Sequence, residues 1–333
     1  MPDPDTPPTF HDDSILVQRT DADLYVERVG PDAAPAVYFL HGGPGYGSHS
    51  FREIMGEDLE RYLVLYADQR GGGRSYGAGT ADPSVLADDV RAVLDALERE
   101  RVSLLAHGFG ALVAVEVARR WPERVERLVL VAPWFSMPIL ADDLLRAARR
   151  VQAAGDPASG GALTSAPGAV DPGSGPVDAD ATVDHDDAPI GDPTAMADEA
   201  FALVNPKALF DALQFPHASS RMRLEHADAE VLLGPQDAEE PLGVWERDVL
   251  DALPTLAVPV VVLAGRLDGT CFPRQVEAGL ERMPWAHVSL LDAGHYPWLD
   301  APEQFEAVLH EALAVPARLA AGSADTQKTP PGT

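Results

Sequence analysis

The length, composition and charge of the chain limit the classes of protein to which it can belong. Its 333 residues suffice for one large domain with a smaller insertion, and 46% of them are hydrophobic, as in ordinary globular proteins. A formal net charge of −28 disfavours nucleic acids and anionic membranes as partners, because an acidic surface repels both. The single cysteine, Cys271, excludes an intrachain disulfide and a cysteine-rich metal site.

The hydropathy of the chain and its first residues predict where the protein is found. No window approaches the roughly 18 consecutive apolar residues that a membrane span needs. The acidic start, Met1–Asp5, lacks the basic and apolar regions of a secretion signal. We therefore expect a cytoplasmic protein.

Apolar runs that suit buried strands alternate with helix-like stretches along most of the chain. The strand-like runs are Val37–Leu40, Leu63–Ala67, Val102–Ala106, Leu128–Ala132, Val258–Ala264 and Val288–Leu291. The helix-like stretches are Val85–Glu100, with Ser84 as its expected N-cap, Gly110–Arg120, Arg274–Arg282 and Pro302–Leu313. This alternation predicts an α/β fold with a mostly parallel sheet and helices on both of its faces.

The alternation stops between Trp134 and about Pro254, where no run resembles a buried strand. The helical candidates there are Leu140–Ala153, Met196–Phe215 and Val244–Leu253. We predict a helical lid over residues 134–253, inserted between core segments 1–133 and 254–318. Within it, residues 154–194 are rich in Gly, Pro, Ala, Ser and Asp, and we expect disorder because they bury too little apolar surface to offset their ordering entropy. Residues 319–333 are expected to form a flexible tail.

Two glycine-rich motifs follow the first two predicted strands. The first is His41-Gly42-Gly43-Pro44-Gly45, whose glycines can turn backbone N–H groups inward, as an oxyanion hole requires. An ordinary Gly-Pro turn is the alternative, which the preceding histidine and the position after a strand make less favoured. The second motif, residues 68–75 (DQRGGGRS), has neither the Walker A nor the dinucleotide-binding spacing. We interpret it as a structural turn beneath a pocket, held by hydrogen bonds between arginine and aspartate.

The turn around Gly108 has the pattern of a nucleophile elbow with a glycine at its centre. The sequence Ala106-His107-Gly108-Phe109-Gly110 follows an apolar strand and precedes an apolar helix, as does the G-x-S-x-G elbow. Gly108 has no side chain, so it cannot attack a carbonyl or form an acyl-enzyme. Three other residues could in principle replace the serine hydroxyl: Cys271, Ser103 and Ser48. All three are disfavoured, because only the elbow aligns a side chain with both a catalytic base and the oxyanion hole. We expect Ser103 to be packed in its strand and Ser48 to lie at the pocket mouth.

Asp268 and His295 each come just after a late predicted strand. Alone, such an aspartate is usually a cap, and such a histidine is usually a packed core residue. Here the positions 108, 268 and 295 follow the chain order nucleophile, acid and base that accompanies a strand-to-helix elbow. We therefore expect Asp268 and His295 to be hydrogen-bonded, with His295 facing Gly108.

Taken together, these motifs resemble those of α/β-hydrolases, and the HGGPG and DQRGGGRS motifs resemble the proline iminopeptidase branch of that fold. The resemblance covers Val37–Pro133 and Pro254–Leu313 well and the lid poorly. It implies an α/β-hydrolase with a catalytic serine at position 108, where this sequence has glycine. It further implies Asp268 as the acid, His295 as the base, and oxyanion-hole donors that are the backbone N–H groups of Gly43 and Phe109. The family's lid supplies acidic residues for a peptide amine, and residues 244–246 (VWE) offer no clear counterpart.

Two classes of function stay open at this point. In the first, His295 acts as a general base on water or on an acidic substrate proton, which gives weak or non-standard hydrolysis or proton transfer. In the second, the protein binds a ligand without turnover, and an engineered Ser-to-Gly inactivation would give the same sequence. In each case we expect a small-molecule or short-peptide ligand and neither a metal nor a cofactor, while the oligomeric state stays open.

Overall fold

The centre of the fold is a mixed β-sheet. The computed structural model describes residues 9–153, 190–229 and 243–314, and in these the sheet has nine strands with the order β1-β2-β4-β3-β6-β7-β8-β9, β5 pairing with β2. The strands are β1 (Phe10–Gln18), β2 (Ala22–Pro31), β3 (Ala36–Leu40), β4 (Leu63–Ala67), β5 (Tyr76–Gly77), β6 (Val102–His107), β7 (Val125–Val131), β8 (Val260–Gly265) and β9 (His287–Leu291). All neighbouring strands from β4 through β3 to β9 are parallel.

Helices pack on both faces of this sheet. They are α1 (His49–Met55), α2 (Pro83–Ala96), α3 (Gly110–Arg120), α4 (Met137–Ala153), α5 (Pro193–Leu203), α6 (Pro206–Gln214), α7 (Ala218–Ala229), α8 (Arg274–Arg282), α9 (Pro297–Asp300) and α10 (Pro302–Ala314). Along β3, Tyr38 packs in a core with α2 and α3, whereas Phe39 packs in a second core with α1 and α10. Successive side chains of a strand point to opposite faces, so the predicted fold class is confirmed. No helix in the described part of the chain is long and apolar enough to cross a membrane.

The antiparallel strands at the N-terminal edge were not predicted. β1 pairs with β2, and β2 with β4, in antiparallel register. β1 is an edge strand in which only Val17 is fully buried, so its sequence contains no continuous apolar run. The pattern of β2 alternates buried Leu24 and Val26 with less buried residues, and this half-buried alternation is weaker than the signal of a central parallel strand.

The predicted N-cap of α2 and the predicted bounds of β7 are wrong. Asp82, not Ser84, is the N-cap of α2, because Pro83 takes the first helical position and the Asp82 side chain accepts from the Ser84 N–H at 2.9 Å. The strand predicted at Leu128–Ala132 is β7. It begins earlier, at Val125, and ends before Ala132, because the φ of +44° at Ala132 is not that of a strand.

The helices α4 to α7 lie between β7 and β8 in the chain, which confirms a helical insertion. The predicted helix Met196–Phe215 is in fact two helices, because Asn205 caps the second and Pro206 starts it. The predicted helix Val244–Leu253 is wrong, since only a short 3-10 helix over Leu250–Thr255 forms there. Helix α7 was missed, because its buried residues are only Ser220 and Ala227.

The predicted domain boundaries stay a prediction. Of the segment 154–194 expected to be disordered, residues 154–189 lie outside the described residues, and residues 193–194 begin α5. The expected tail, residues 319–333, also lies outside them.

Candidate active site

The loops after β8 and β9 bring Asp268 and His295 into direct contact. The Nδ1–H of His295 donates to Oδ2 of Asp268 at 2.7 Å, and the two residues are 0% (Asp268) and 1% (His295) exposed. The other carboxylate oxygen, Oδ1, accepts from the N–H and the Oγ1–H of Thr270 at 2.9 and 2.6 Å. These bonds fix the carboxylate and leave the Nε2 of His295 as the free nitrogen of the ring.

Gly108 lies opposite this free nitrogen, in the turn between β6 and α3. Its φ is +51°, and a Cβ atom built on it would lie 3.2 Å from Nε2 of His295. The turn is held by the Gly108 N–H, which donates to the Val131 carbonyl at 3.0 Å, and by the Gly108 carbonyl, which accepts from the Trp134 N–H at 3.1 Å. A small group at the place of that Cβ would therefore contact the imidazole directly.

The HGGPG loop after β3 forms the adjacent wall of the site. Nε2 of His41 accepts from the Gln69 N–H at 2.8 Å, so its Nδ1 carries the proton and donates to the Gly42 carbonyl at 2.6 Å. Burial lowers the pKa of His41, and this keeps the ring neutral in that arrangement. The Cα of Gly42 is 3.9 Å from the Cβ position on Gly108, and Gly43 has a φ of +134° that favours glycine. The roles of Gly43 and Phe109 as oxyanion-hole donors stay a prediction.

The second glycine motif is a structural turn, as predicted. The Asp68 carboxylate accepts from the N–H and Oγ–H of Ser48, both at 2.7 Å, and from the N–H and Nε–H of Arg74 at 2.8 and 2.7 Å. Arg70 pairs with Asp89 at 2.6 Å and with Asp21 at 2.7 Å. Both arginines are thus engaged by carboxylates.

None of the three residues considered as alternative nucleophiles, Ser48, Ser103 and Cys271, is exposed to a substrate. Ser48 does not lie at the pocket mouth as expected, because it is 0% exposed and bonded to Asp68. Ser103 is packed in β6, as expected. Cys271 is buried with its thiol donating to the Pro133 carbonyl at 3.4 Å, and burial raises the pKa of that thiol well above its usual range. The thiol is therefore protonated and a poor nucleophile.

His107 is a site residue that the sequence analysis did not single out. Its Nε2–H donates to the backbone carbonyl of His295 at 3.0 Å, and the two imidazole rings are 4.5 Å apart. Burial lowers the pKa of His107 well below 6.5, so the ring is neutral. His107 therefore joins the turn at Gly108 to the loop that carries His295.

We expect His107→Leu to destabilise the fold by about 1–3 kcal/mol, because it leaves the buried carbonyl of His295 without its donor. Urea unfolding, with the free energy extrapolated to water, measures the effect. His287→Leu is the matched control, because His287 is exposed on β9 and its loss should change the stability by less than about 0.5 kcal/mol. Equal effects of the two substitutions would contradict the assigned role of His107.

The lid supplies backbone acceptors to both site loops. At the end of α6, the carbonyls of Leu213 and Gln214 accept from the N–H groups of Gly269 and His295 at 2.8 and 2.9 Å. The last carbonyls of a helix have no partner within it, so these bonds satisfy the helix end and hold together the loops that carry Asp268 and His295. No side chain takes part, which is why the sequence carried no sign of the contact.

A cavity of about 1360 Å³ opens over His295, between the sheet and the lid. Its wall includes both apolar rings and charged side chains; the charged groups contributed by the lid are Lys207, Asp211, Arg221, Glu225 and Asp228. Lys207 pairs with Asp211 at 2.8 Å and with Glu225 at 3.0 Å. Within residues 9–153, 190–229 and 243–314, no group of three His, Cys, Asp or Glu side chains is arranged to hold a metal ion.

Comparison with known proteins agrees with this architecture. A family model described as alpha/beta hydrolase fold matches residues 35–167. A proline iminopeptidase-related protein of Thermus thermophilus is 36% identical, and the alignment covers 92% of this chain and 99% of that chain with a TM-score of 0.71.

Among curated proteins, the matches are shorter. The proline iminopeptidase of Neisseria gonorrhoeae is 32% identical over 125 residues, or 36% of this chain and 39% of that protein. A putative carbamate hydrolase of Variovorax paradoxus is 38% identical over 114 residues, or 33% of this chain and 42% of that protein. The matches thus span about two fifths of these relatives. On the strength of its fold and of the near full-length similarity to the Thermus protein, the chain belongs to the α/β-hydrolase fold family and has proline iminopeptidase-like relatives.

Proposed function

We propose that this protein is a weak hydrolase in which His295, held by Asp268, acts as a general base on a water molecule beside Gly108. Gly108 stands, on this proposal, where the family has its serine nucleophile. The observation that carries the proposal is the 3.2 Å between the Cβ position on Gly108 and Nε2 of His295. A serine there would have its hydroxyl within hydrogen-bonding range of the base, and a water molecule can take the same place.

The proposed reaction is a single displacement of the leaving group by water at the substrate carbonyl. As the water oxygen attacks the substrate carbonyl, one water proton passes to Nε2 of His295, and Asp268 stabilises the resulting imidazolium. The N–H groups of Gly43 and Phe109 would stabilise the negative charge on the carbonyl oxygen. The tetrahedral intermediate then collapses, the bond to the leaving group breaks, and His295 returns the proton to that group. The products are a carboxylic acid and an alcohol or amine, with no acyl-enzyme.

The expected rate is low, since a serine hydrolase that loses a triad member typically retains about 10³- to 10⁴-fold acceleration over water from its oxyanion hole and binding. The names of the relatives, a proline iminopeptidase and a putative carbamate hydrolase, support ester, amide or carbamate carbonyls as the class of group attacked.

We expect His295→Ala to reduce hydrolysis of 4-nitrophenyl butyrate to the level that the oxyanion hole and binding alone supply, because the water then has no base. Asp268→Asn should also lower the rate, since it no longer stabilises the imidazolium. Stopped assays of released 4-nitrophenol measure both, and His287→Ala, on the exposed end of β9, is the control. An unchanged rate of hydrolysis in His295→Ala would rule the mechanism out.

The missing side chain of Gly108 also favours a second function, that of a binding protein with a hydrolase-shaped cavity. On that view, the hydrogen-bonded pair of Asp268 and His295 persists as a structural element. Native protein that binds small carbonyl compounds but never exceeds the buffer rate of hydrolysis would support this alternative.

A further inference from the structure

We infer that one arm of the cavity is a subsite for a large, uncharged apolar group of the substrate, such as an aryl-alkyl chain next to the reacting carbonyl. The inference deepens the proposed function and rests on it only for the position of the carbonyl, beside His295 and Gly108. The subsite is the aromatic arm, which we define as Trp134, Met137, Leu140, Phe201, Phe210 and Trp245.

The aromatic arm begins next to His295. The indole ring of Trp134 stacks on the imidazole of His295, with centroids 5.1 Å apart and planes 22° apart. The Nε1–H of Trp134 donates to Thr270 Oγ1 at 3.4 Å, which fixes the ring. A substrate with its carbonyl at Gly108 therefore meets an aromatic face as soon as its chain leaves the reacting centre.

The rings continue from Trp134 into the lid. Phe210 is 6.4 Å from Trp134, Phe201 is 6.3 Å from Phe210, and Trp245 is 5.9 Å from Phe201, all between ring centroids. All four rings line the cavity. Trp134 and Trp245 are buried, whereas Phe201 and Phe210 are only half-buried. A ligand in the arm would cover the apolar surface of the two phenylalanines that is still exposed to water. If these rings were ordinary core residues, that surface would already be buried.

Only one residue of the aromatic arm, Phe210, lies on a helix that also supplies charged lining residues in the described part of the chain, and those two residues of α6, Lys207 and Asp211, pair with each other at 2.8 Å. The lid's charged lining residues within the described part of the chain belong to α6 and α7, whereas the lining residues from α4, α5 and positions 244–245 are all apolar. A charged group in the aromatic arm would lose its hydration without gaining a partner. The volume of the cavity, about 1360 Å³, also exceeds the roughly 300–1,000 Å³ of most ligand sites, so it accommodates a chain as well as the carbonyl.

The test uses the primary amides of phenylacetic, 4-phenylbutyric and 6-phenylhexanoic acids as probes, with binding to the full chain measured by isothermal titration calorimetry. We expect Kd to fall by about fourfold for each added methylene, the factor that corresponds to about 0.8 kcal/mol. The monoamide of adipic acid, which ends in a carboxylate, should bind at least tenfold more weakly than the 6-phenylhexanoic amide. Equal affinity along the series, or tight binding of the adipic monoamide, would overturn the inference.

Variants locate the effect within the cavity. Phe201→Ala should weaken binding of the longest amide at least fivefold and leave that of the phenylacetic amide within twofold, which a general loss of folding cannot produce. Phe201→Trp, which narrows the arm, should also weaken only the longer amides. Phe10→Ala is the matched control, because Phe10 is exposed on β1. Equal loss for all the amides, or a similar loss in the control, would overturn the inference.

Failure of this inference and failure of the proposed function are distinguishable. Binding of the amides needs no turnover, so a chain-length dependence without any hydrolysis would leave the subsite in place and remove the proposed reaction. If hydrolysis depends on His295 but all the amides bind with the same affinity, the proposed reaction stands and the inferred subsite does not.

Discussion

Gly108→Ser should turn the protein into a target of fluorophosphonate reagents, whereas the native protein should stay unlabelled. A Cβ at this position is 3.2 Å from Nε2 of His295, so the new hydroxyl comes within reach of its base after the imidazole shifts by a few tenths of an ångström. Loss of the nucleophile from a serine protease lowers kcat by about 10⁶-fold. We therefore expect the substitution to raise ester hydrolysis by roughly 10³- to 10⁶-fold over the native protein.

The substitution has a structural cost. The φ of +51° at Gly108 belongs to the left-handed region that side chains rarely adopt, and such strain costs about 1–3 kcal/mol. Gly108→Ala bears the same strain without a hydroxyl, so it is the matched control and should show neither labelling nor increased turnover. The double variant Gly108→Ser/His295→Ala should also remain unlabelled.

Two results would contradict this expectation. Strong labelling of the native protein would show that another residue already acts as a nucleophile. A folded Gly108→Ser variant that neither labels nor turns over would show that the oxyanion hole and base are no longer assembled for acyl transfer, and would favour the binding-protein alternative.

Asp68→Ala should be the most destabilising of the substitutions considered, by about 3–5 kcal/mol. The Asp68 side chain is 0% exposed and bonds both Ser48 and Arg74, so its removal leaves a largely buried guanidinium short of its partner. Glu27, 3.0 Å from Arg74, retains part of the charge balance and places the effect near the lower limit. Urea unfolding measures the loss, and Asp251→Ala, at an exposed position, is the control.

The same pair gives the stability a defined dependence on pH. Burial on its own would raise the pKa of Asp68, but the hydrogen bond and charge of Arg74 outweigh it and hold the pKa below 3.8. A carboxyl with a depressed folded-state pKa stabilises the fold fully above its unfolded pKa, and the contribution is lost as the pH falls towards the folded value. The difference in stability between the native protein and Asp68→Ala should therefore be constant at neutral pH and narrow below about pH 4. A difference that stays unchanged at low pH would contradict the pairing.

The sequence predicted the parallel half of the fold because its inner strands, β3, β4, β6, β7 and β8, are buried along almost their whole length. β4, α3 and α8 are found with the predicted bounds, since each is a continuous apolar run or an amphipathic helix with clear ends. The edge strand β1, its neighbour β2 and the helix α7 escaped prediction, because none of them has a continuous apolar run or a wide apolar face. The insertion was recognised from the absence of strands, but the break at Asn205 and Pro206 within it was not.

For the candidate site, the sequence by itself determined three residues and their order: Gly108 in the strand-to-helix turn, then Asp268 and His295 after late strands. Parallel strands end at one edge of a sheet, so these residues had to meet. Only the tertiary structure decided the rest, because the remaining contacts join parts of the chain that are distant in sequence. The bond from His107 to the His295 carbonyl, the lid carbonyls on the two loops and the aromatic arm all depend on how the lid packs over the sheet. Backbone groups and ring faces carry these contacts, and neither leaves a motif in the sequence.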